Sequence, residues 1–94
     1  MVYESSLIMN AFNMEKTIYT EQQEKLQQLL RQIREEAGLR QSDLARLIGE
    51  PQPFVSKYER GERRLDIFEL REICKVLGMT LETFVRRLEE SLET

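Results

Sequence analysis

The side chains best suited to recognising another molecule lie in one stretch, LIGEPQPFVSKYERGERR (residues 47–64), where basic residues cluster around Gly61. Residues 31–64 carry eight basic and six acidic residues, a net charge of +2. Residues 1–30 carry two basic and four acidic (−2), and residues 65–94 carry four and seven (−3). Basic side chains neutralise phosphates locally, so a positive middle suits a nucleic-acid-facing surface. The same pattern equally suits ordinary solvated helix surface.

Catalytic chemistry has little support in these residues. The chain has no histidine and one cysteine, Cys74, which removes histidine-based proton transfer, histidine-ligated metals and an internal disulfide. There is no phosphate-binding loop, nucleophile motif or pair of buried carboxylates. We therefore predict that the chain is not an enzyme and uses no cofactor or metal, and that Cys74 is a small core residue.

Length and composition predict one small domain of 94 residues. No apolar run is long enough to span a membrane, and the N-terminus lacks the basic region of a signal peptide. With a single cysteine, these features predict a cytoplasmic protein without membrane contact.

Hydrophobic spacing predicts five helices and no strands. The first should run over about 21–37, because Thr20 stands three residues before Gln23 at capping-box spacing. The second and third should cover about 41–48 and 52–60. Residues 1–20 have no clear period and are predicted to be an N-terminal arm or disordered extension, with the domain over 21–94.

Helices four and five carry the clearest local signals. Asp66 with Glu69 predicts a capping box for helix four, and Thr80 should cap helix five. The predicted buried positions of these two helices are Ile67, Leu70, Ile73, Cys74, Leu77, Leu81, Phe84, Val85, Leu88 and Leu92.

Two prolines mark the start of the third helix: Pro51 precedes it and Pro53 lies in its first turn. The first turn of a helix has N–H groups without intrahelical partners, so Pro53 forfeits no helical hydrogen bond there. Pro51 pushes Glu50 toward an extended conformation, which prevents helix two from continuing.

The segment GLRQSDLARLIGEPQPFVSKYERGERR (residues 38–64) closely resembles the Cro/repressor-type helix-turn-helix, the XRE family. GLRQ matches the opening of the family's motif, and LARLIG matches its core. VSKYERG matches the end of the family's recognition helix. LDIFELREICKVLGMTLETF (65–84) resembles the family's last two helices, so the resemblance covers about residues 21–90. It implies an all-α, five-helix, lambda-repressor-like DNA-binding domain.

The same resemblance implies roles for individual residues. Gln41 would bind a DNA phosphate and orient the first recognition-helix side chain, and the arginines after that helix would contact phosphates. Among the positions that reach base edges, a glutamine suits adenine and a lysine suits guanine. The candidate DNA-binding residues are Gln41, Gln52, Pro53, Phe54, Ser56, Lys57, Arg60, Arg63 and Arg64.

Some candidates have alternative interpretations. The prolines and Phe54 replace small polar residues of the family, and prolines cannot donate to phosphate. Phe54 either packs on a thymine methyl or covers the joint between helices two and three. Lys57 can be solvated surface, and the three arginines can be surface ion pairs. Glu50 would repel phosphate and is expected to point away from DNA.

The resemblance implies a sequence-specific transcriptional regulator, a repressor, binding a pseudo-palindromic operator in double-stranded DNA as a homodimer. We expect the dimer seam on helix five, around Phe84, Leu88 and Leu92. One alternative is the antitoxin of a toxin–antitoxin pair, in which the domain also binds a toxin or another regulator. Another is a protein-interaction module that keeps the fold without binding DNA.

Overall fold

The computed structural model describes residues 5–93, and the side chains of residues 20–93. Within this range the chain forms five helices and no strand, which confirms the predicted all-α architecture. The helices are α1 (Ser5–Glu36), α2 (Gln41–Ile48), α3 (Gln52–Arg60), α4 (Ile67–Val76) and α5 (Leu81–Glu93). The bounds of α2 and α3 are those that the sequence predicted.

The first helix begins at Ser5, so the prediction that it starts near residue 21 was wrong. Thr20 lies inside this helix and cannot be its cap, because interior N–H groups are bonded to the carbonyl four residues earlier. The side chains of the predicted arm lie almost wholly outside the described residues. The division into an extension (1–20) and a domain (21–94) therefore stays a prediction.

One hydrophobic core joins the five helices. Helix α1 packs against α3 and α5, α2 packs against α3 and α4, and α4 contacts α5. The buried residues of this core are Leu29, Leu30, Ile33, Leu44, Ala45, Val55, Tyr58, Ile73, Cys74 and Phe84. Helix α3 is therefore held by α1 on one side and by α2 on the other.

The predicted caps of the last two helices are confirmed. The Asp66 carboxylate accepts a hydrogen bond from the Glu69 N–H at 2.8 Å, and Glu69 accepts one from the Asp66 N–H at 2.9 Å. The Thr80 hydroxyl oxygen accepts from the Thr83 N–H at 3.0 Å. Each cap satisfies a donor in the first helical turn that has no intrahelical partner.

The predicted core positions of α4 and α5 differ in their burial. Ile67 is 60% exposed and Val85 is 40% exposed, so their assignment to the buried face was wrong. Phe84 has no exposed surface, which excludes it from the expected dimer seam. Cys74 is buried, as predicted, and burial raises the pKa of its thiol to about 11.

The two prolines start α3 as predicted. Pro51 has the extended backbone of an N-cap residue, with φ −70° and ψ 154°, and its carbonyl accepts from the Phe54 N–H at 2.9 Å. Pro53 is the second helical residue, where the missing N–H costs no hydrogen bond. The turn before α3 is therefore stiff.

Gly61 ends α3 in the left-handed region, with φ 82°, and a Cβ at this position would lie 2.5 Å from Nε2 of Gln27. Gly49 ends α2 at φ 75° with nothing within 4 Å of its virtual Cβ, so it is a matched control. We expect Gly49→Ala to cost roughly 1–2 kcal/mol of unfolding free energy, from the backbone alone. Gly61→Ala should cost more, since Gln27 must also move. Urea unfolding measures both, and equal losses would show that Gln27 yields freely.

Deleting residues 1–14 should leave the domain folded. Among the described side chains, the core residues of α1 begin at Leu26, well after the deletion. We expect helical circular dichroism to fall only by the helical residues removed, and self-association or solubility to change. A cooperative loss of the remaining helical signal would show instead that the deleted segment belongs to the core.

Candidate nucleic-acid interface

A buried ion pair connects α1 to the recognition helix α3. Arg34 donates from Nε and Nη2 to the two carboxylate oxygens of Glu59, at 2.7 and 3.1 Å. The side chains of Arg34 and Glu59 are only 8% and 3% exposed. The third guanidinium nitrogen, Nη1, donates to the Leu39 carbonyl at 2.7 Å. Hydrogen bonding to Glu59 raises the pKa of Arg34, so its guanidinium group stays charged.

The ion pair continues into two glutamines that the sequence had placed at the DNA surface. Gln41 Nε2 donates to Glu59 Oε1 at 2.9 Å, and Gln52 Nε2 donates to Gln41 Oε1 at 2.9 Å. A carboxylate only accepts, so Glu59 requires the amide of Gln41 to present its nitrogen inward and its oxygen to Gln52. The implied orienting role of Gln41 therefore has a physical basis.

This chain of hydrogen bonds leaves the end of Gln52 available. Its side chain is exposed, with one amide hydrogen and the carbonyl oxygen not engaged by Gln41. One donor and one acceptor side by side are what adenine requires at N7 and N6 in the major groove. The interior of the protein thus sets the orientation of a group that can read a base.

The other two residues predicted to read bases, Ser56 and Lys57, differ in their exposure to solvent. Lys57 is exposed, and no hydrogen bond or ion pair holds its ammonium group within the described part of the chain. Ser56 is only 9% exposed, and its hydroxyl donates to the Pro53 carbonyl at 3.2 Å. Ser56 is therefore less accessible than the resemblance implied, whereas Pro53 is exposed at the start of α3.

Phe54 belongs to a cluster that joins the recognition helix to α4. Its ring meets the ring of Tyr58 edge-on, with centroids 5.7 Å apart, and it packs on the core. The guanidinium carbon of Arg63 lies 4.4 Å from the centroid of Phe54, and Arg63 donates to both oxygens of Glu69 at 3.0 and 2.8 Å. These contacts hold the Phe54 ring within the protein, between α3 and α4, and the choice between its two predicted roles stays a prediction.

Arg63 is therefore committed to internal contacts. The hydrogen bonds to Glu69 raise the pKa of Arg63 and lower that of Glu69. A phosphate would have to displace a bidentate ion pair and a cation–π contact to recruit this arginine. Burial raises the pKa of the nearby Tyr58 hydroxyl above its usual range, so it stays neutral.

The remaining arginines are on the surface, Arg60 at the end of α3 and Arg64 after it. Arg60 pairs with Glu62 at 2.9 Å, and both side chains are more than half exposed. The hydrogen bond to Glu62 raises the pKa of Arg60, and Arg60 lowers the pKa of Glu62. Arg60 and Arg64 border an open polar cleft of about 250 Å³ against α1. Exposed pairs of this kind contribute little to stability and exchange partners easily.

Neither residue of the buried ion pair, Arg34 or Glu59, is among the candidate site residues that the sequence predicted. One signal was present: Arg34 follows Leu30 by four residues and Ile33 by one, so it falls within the apolar stripe of α1. A charge on a buried face requires a partner. That partner is 25 residues away, and periodicity alone does not identify it.

Comparisons with known proteins agree with this geometry. A family profile described as helix-turn-helix matches residues 30–84. Among solved structures, the chain is similar to an XRE-family like protein from Pseudomonas syringae pv. tomato str. DC3000. The two are 39% identical with a TM-score of 0.78, over 84% of this chain and 96% of that one. The chain belongs to the XRE family of helix-turn-helix proteins. It is a DNA-binding transcriptional regulator and not an enzyme.

Two other regulators are similar in structure. The restriction-modification controller protein C.Esp1396I, solved as a tetramer in complex with its natural 35 base-pair operator, is 29% identical. Its TM-score is 0.71, over 78% of this chain and 96% of that one. The clp gene regulator ClgR from Corynebacterium glutamicum shares the fold at 24% identity and a TM-score of 0.68, over 77% of each chain. No curated protein matches the chain. None of the described helices is long and apolar enough to cross a membrane.

Removing Glu59 should destabilise the fold much more than breaking a surface pair. Glu59→Ala leaves the buried Arg34 charge without its partner, for which we expect a loss of about 3–5 kcal/mol in unfolding free energy. Arg31→Ala breaks an exposed pair with Glu35 and should cost less than about 1 kcal/mol. Urea unfolding measures both. Similar losses for the two variants would contradict the central role of the buried pair.

Proposed function

We propose that this regulator binds a pseudo-palindromic operator as a homodimer and represses transcription, with α3 in the major groove. The observation that carries the proposal is the chain of hydrogen bonds from Arg34 through Glu59 and Gln41 to Gln52. A network that orients an exposed amide at the start of α3 has a clear use only if that amide meets a ligand. Lys57, five residues further along α3, supplies an exposed cation on the same helix.

Base reading is assigned to Gln52 and Lys57, and phosphate binding to Arg60 and Arg64. Gln41, which is bonded to Glu59 and Gln52, is assigned the orienting role. A lysine near a guanine donates to O6 and N7, and a glutamine pairs with an adenine. Pro53 lies between the reading positions and offers only apolar contact, because it has no N–H. Ser56 and Arg63 take no direct part in this assignment, since both are engaged within the protein.

A homodimer is favoured because one copy presents few base-reading groups. Helix-turn-helix dimers read two half-sites about one DNA turn apart, roughly 34 Å. Helix α5 offers apolar surface for the seam: Val85 is exposed, and Leu88 and Leu92 are half-buried. C.Esp1396I, a similar protein, was solved as a tetramer on its operator. Phe84 plays no part in this seam, because it is fully buried within the monomer.

Replacing Gln52 or Lys57 with alanine should lower both affinity and sequence preference. We expect a loss of about 1–3 kcal/mol on the preferred operator, and relaxed preference at one position per half-site. The operator is first obtained by selecting bound fragments from genomic DNA. The variants are then titrated on operator and scrambled DNA, with circular dichroism to confirm that they fold.

Arginine variants are the matched control for this experiment. Arg60→Ala and Arg64→Ala should weaken binding to both DNAs alike, and should reduce the salt dependence by about one unit for each phosphate that is no longer neutralised. Glu62→Gln frees Arg60 from its ion pair and should strengthen binding to both DNAs. If all these variants bind both DNAs like the wild type, the fold serves as a protein-interaction module instead.

A further inference from the structure

A notch on the protein surface lies between the end of α2 and α4, and neither the fold nor the proposed DNA contacts account for it. Its volume is about 100 Å³, compared with the roughly 10–15 Å³ that one water molecule needs. The end of one long side chain therefore fits. We call it the α2–α4 notch. Its lining residues are Ile48, Glu50, Phe54, Glu69, Glu72 and Ile73.

The notch combines an apolar floor with a negative rim. Ile48, Phe54 and Ile73 supply the apolar wall, and three glutamates border it. Glu69 is neutralised by Arg63 at 2.8 Å, while Glu72 has only the exposed Lys75 at 3.5 Å. The Glu50 side chain makes no hydrogen bond or ion pair within the described part of the chain. Its negative charge contributes to the raised pKa of Arg63. The three glutamates, together with Arg63 and Lys75, give the rim of the notch a net charge of −1.

One side of the notch already shows how it would hold a guanidinium. Arg63 lies over Phe54, 4.4 Å from the ring centroid, and binds Glu69 with two hydrogen bonds. Glu50 and Glu72 offer the same chemistry, a carboxylate near an aromatic or aliphatic surface, without such a strong internal partner. Arginine suits this setting better than lysine, since its planar head both stacks on rings and binds carboxylates through two donors.

An exposed aromatic residue shares one face of α4 with Glu72, which lines the notch. Phe68 is 75% exposed and lies four residues before Glu72, on the same face of α4. Large apolar side chains exposed to this degree are typical of contact surfaces when other apolar groups adjoin them. A partner that places an arginine in the notch would therefore bring an apolar residue next to Phe68.

We propose that the α2–α4 notch receives an arginine side chain of a partner protein, with the guanidinium bound by Glu50 and Glu72 and a neighbouring apolar residue resting on Phe68. DNA is excluded as the occupant because the rim is negative and would repel phosphate. A metal ion is also disfavoured, because no cluster of three potential ligands occurs among the described residues. This inference does not depend on the proposed operator binding.

The test uses the full chain with ¹³C-labelled isoleucine methyl groups and two peptides. Acetyl-Leu-Arg-Leu-amide should shift the signals of Ile48 and Ile73, which line the notch, and leave that of Ile33 in the core unchanged. Acetyl-Leu-citrulline-Leu-amide, which has nearly the same shape without the charge, should cause little change. No DNA is present, so the result is independent of operator binding.

Glu50→Gln combined with Glu72→Gln should weaken arginine-peptide binding about three- to tenfold, since exposed charge pairs contribute up to about 1 kcal/mol each. Glu82→Gln combined with Glu90→Gln on α5 is the matched control and should bind like the wild type. Thermal unfolding verifies that both variants fold. Equal responses to the two peptides, or equal losses in the two variants, would overturn the proposal. So would a change in sedimentation of the Glu50/Glu72 variant, because the occupant would then be a second copy of this chain.

Discussion

The buried ion pair of Arg34 with Glu59 is the constraint on which the rest of the structure depends. Two charges in a low-dielectric interior are stable only if each is fully paired, so α1 and α3 have one relative position that satisfies both. Glu59 then determines which end of the Gln41 amide faces inward, and Gln41 in turn orients the amide of Gln52. A replacement of the pair by apolar residues could preserve the packing. It could not preserve the orientation of the two glutamine amides, because that orientation requires a group such as the Glu59 carboxylate, which accepts hydrogen bonds but cannot donate them.

The turn before α3 shows a second consequence of internal packing. Pro51 and Pro53 have no backbone N–H, so the turn and the start of α3 offer fewer hydrogen-bond donors at the surface. In exchange, Phe54 and Arg63 link α3 to α4 through stacking and through the ion pair with Glu69. Helix α3 is therefore held by α1 and α2, and the segment that follows it is tied to α4. A helix held this firmly loses little conformational freedom when it binds a ligand.

The distribution of charge separates two surfaces of the molecule. The net charge of −3 would disfavour binding to DNA if it were spread evenly. Instead Lys57, Arg60 and Arg64 are exposed on or just after α3, while Glu50, Glu69 and Glu72 gather at the α2–α4 notch. Because screening limits the reach of a charge to about a Debye length, roughly 8–10 Å, the local charge of each surface matters more for binding than the net charge of the chain.

Local signals in the sequence were sufficient for most of the fold. Prolines, caps and glycine stops act within one helical turn, which is why the bounds of α2 and α3 and the capping box of Asp66 were predicted correctly. The same kind of signal failed at Thr20, where a cap-like spacing lies inside a longer helix. What only the tertiary structure decided were contacts between distant residues: the pairing of Arg34 with Glu59, the burial of Ser56 and the use of Arg63 by Glu69. The sequence names the residues that can make such contacts, but only packing brings them within hydrogen-bond distance.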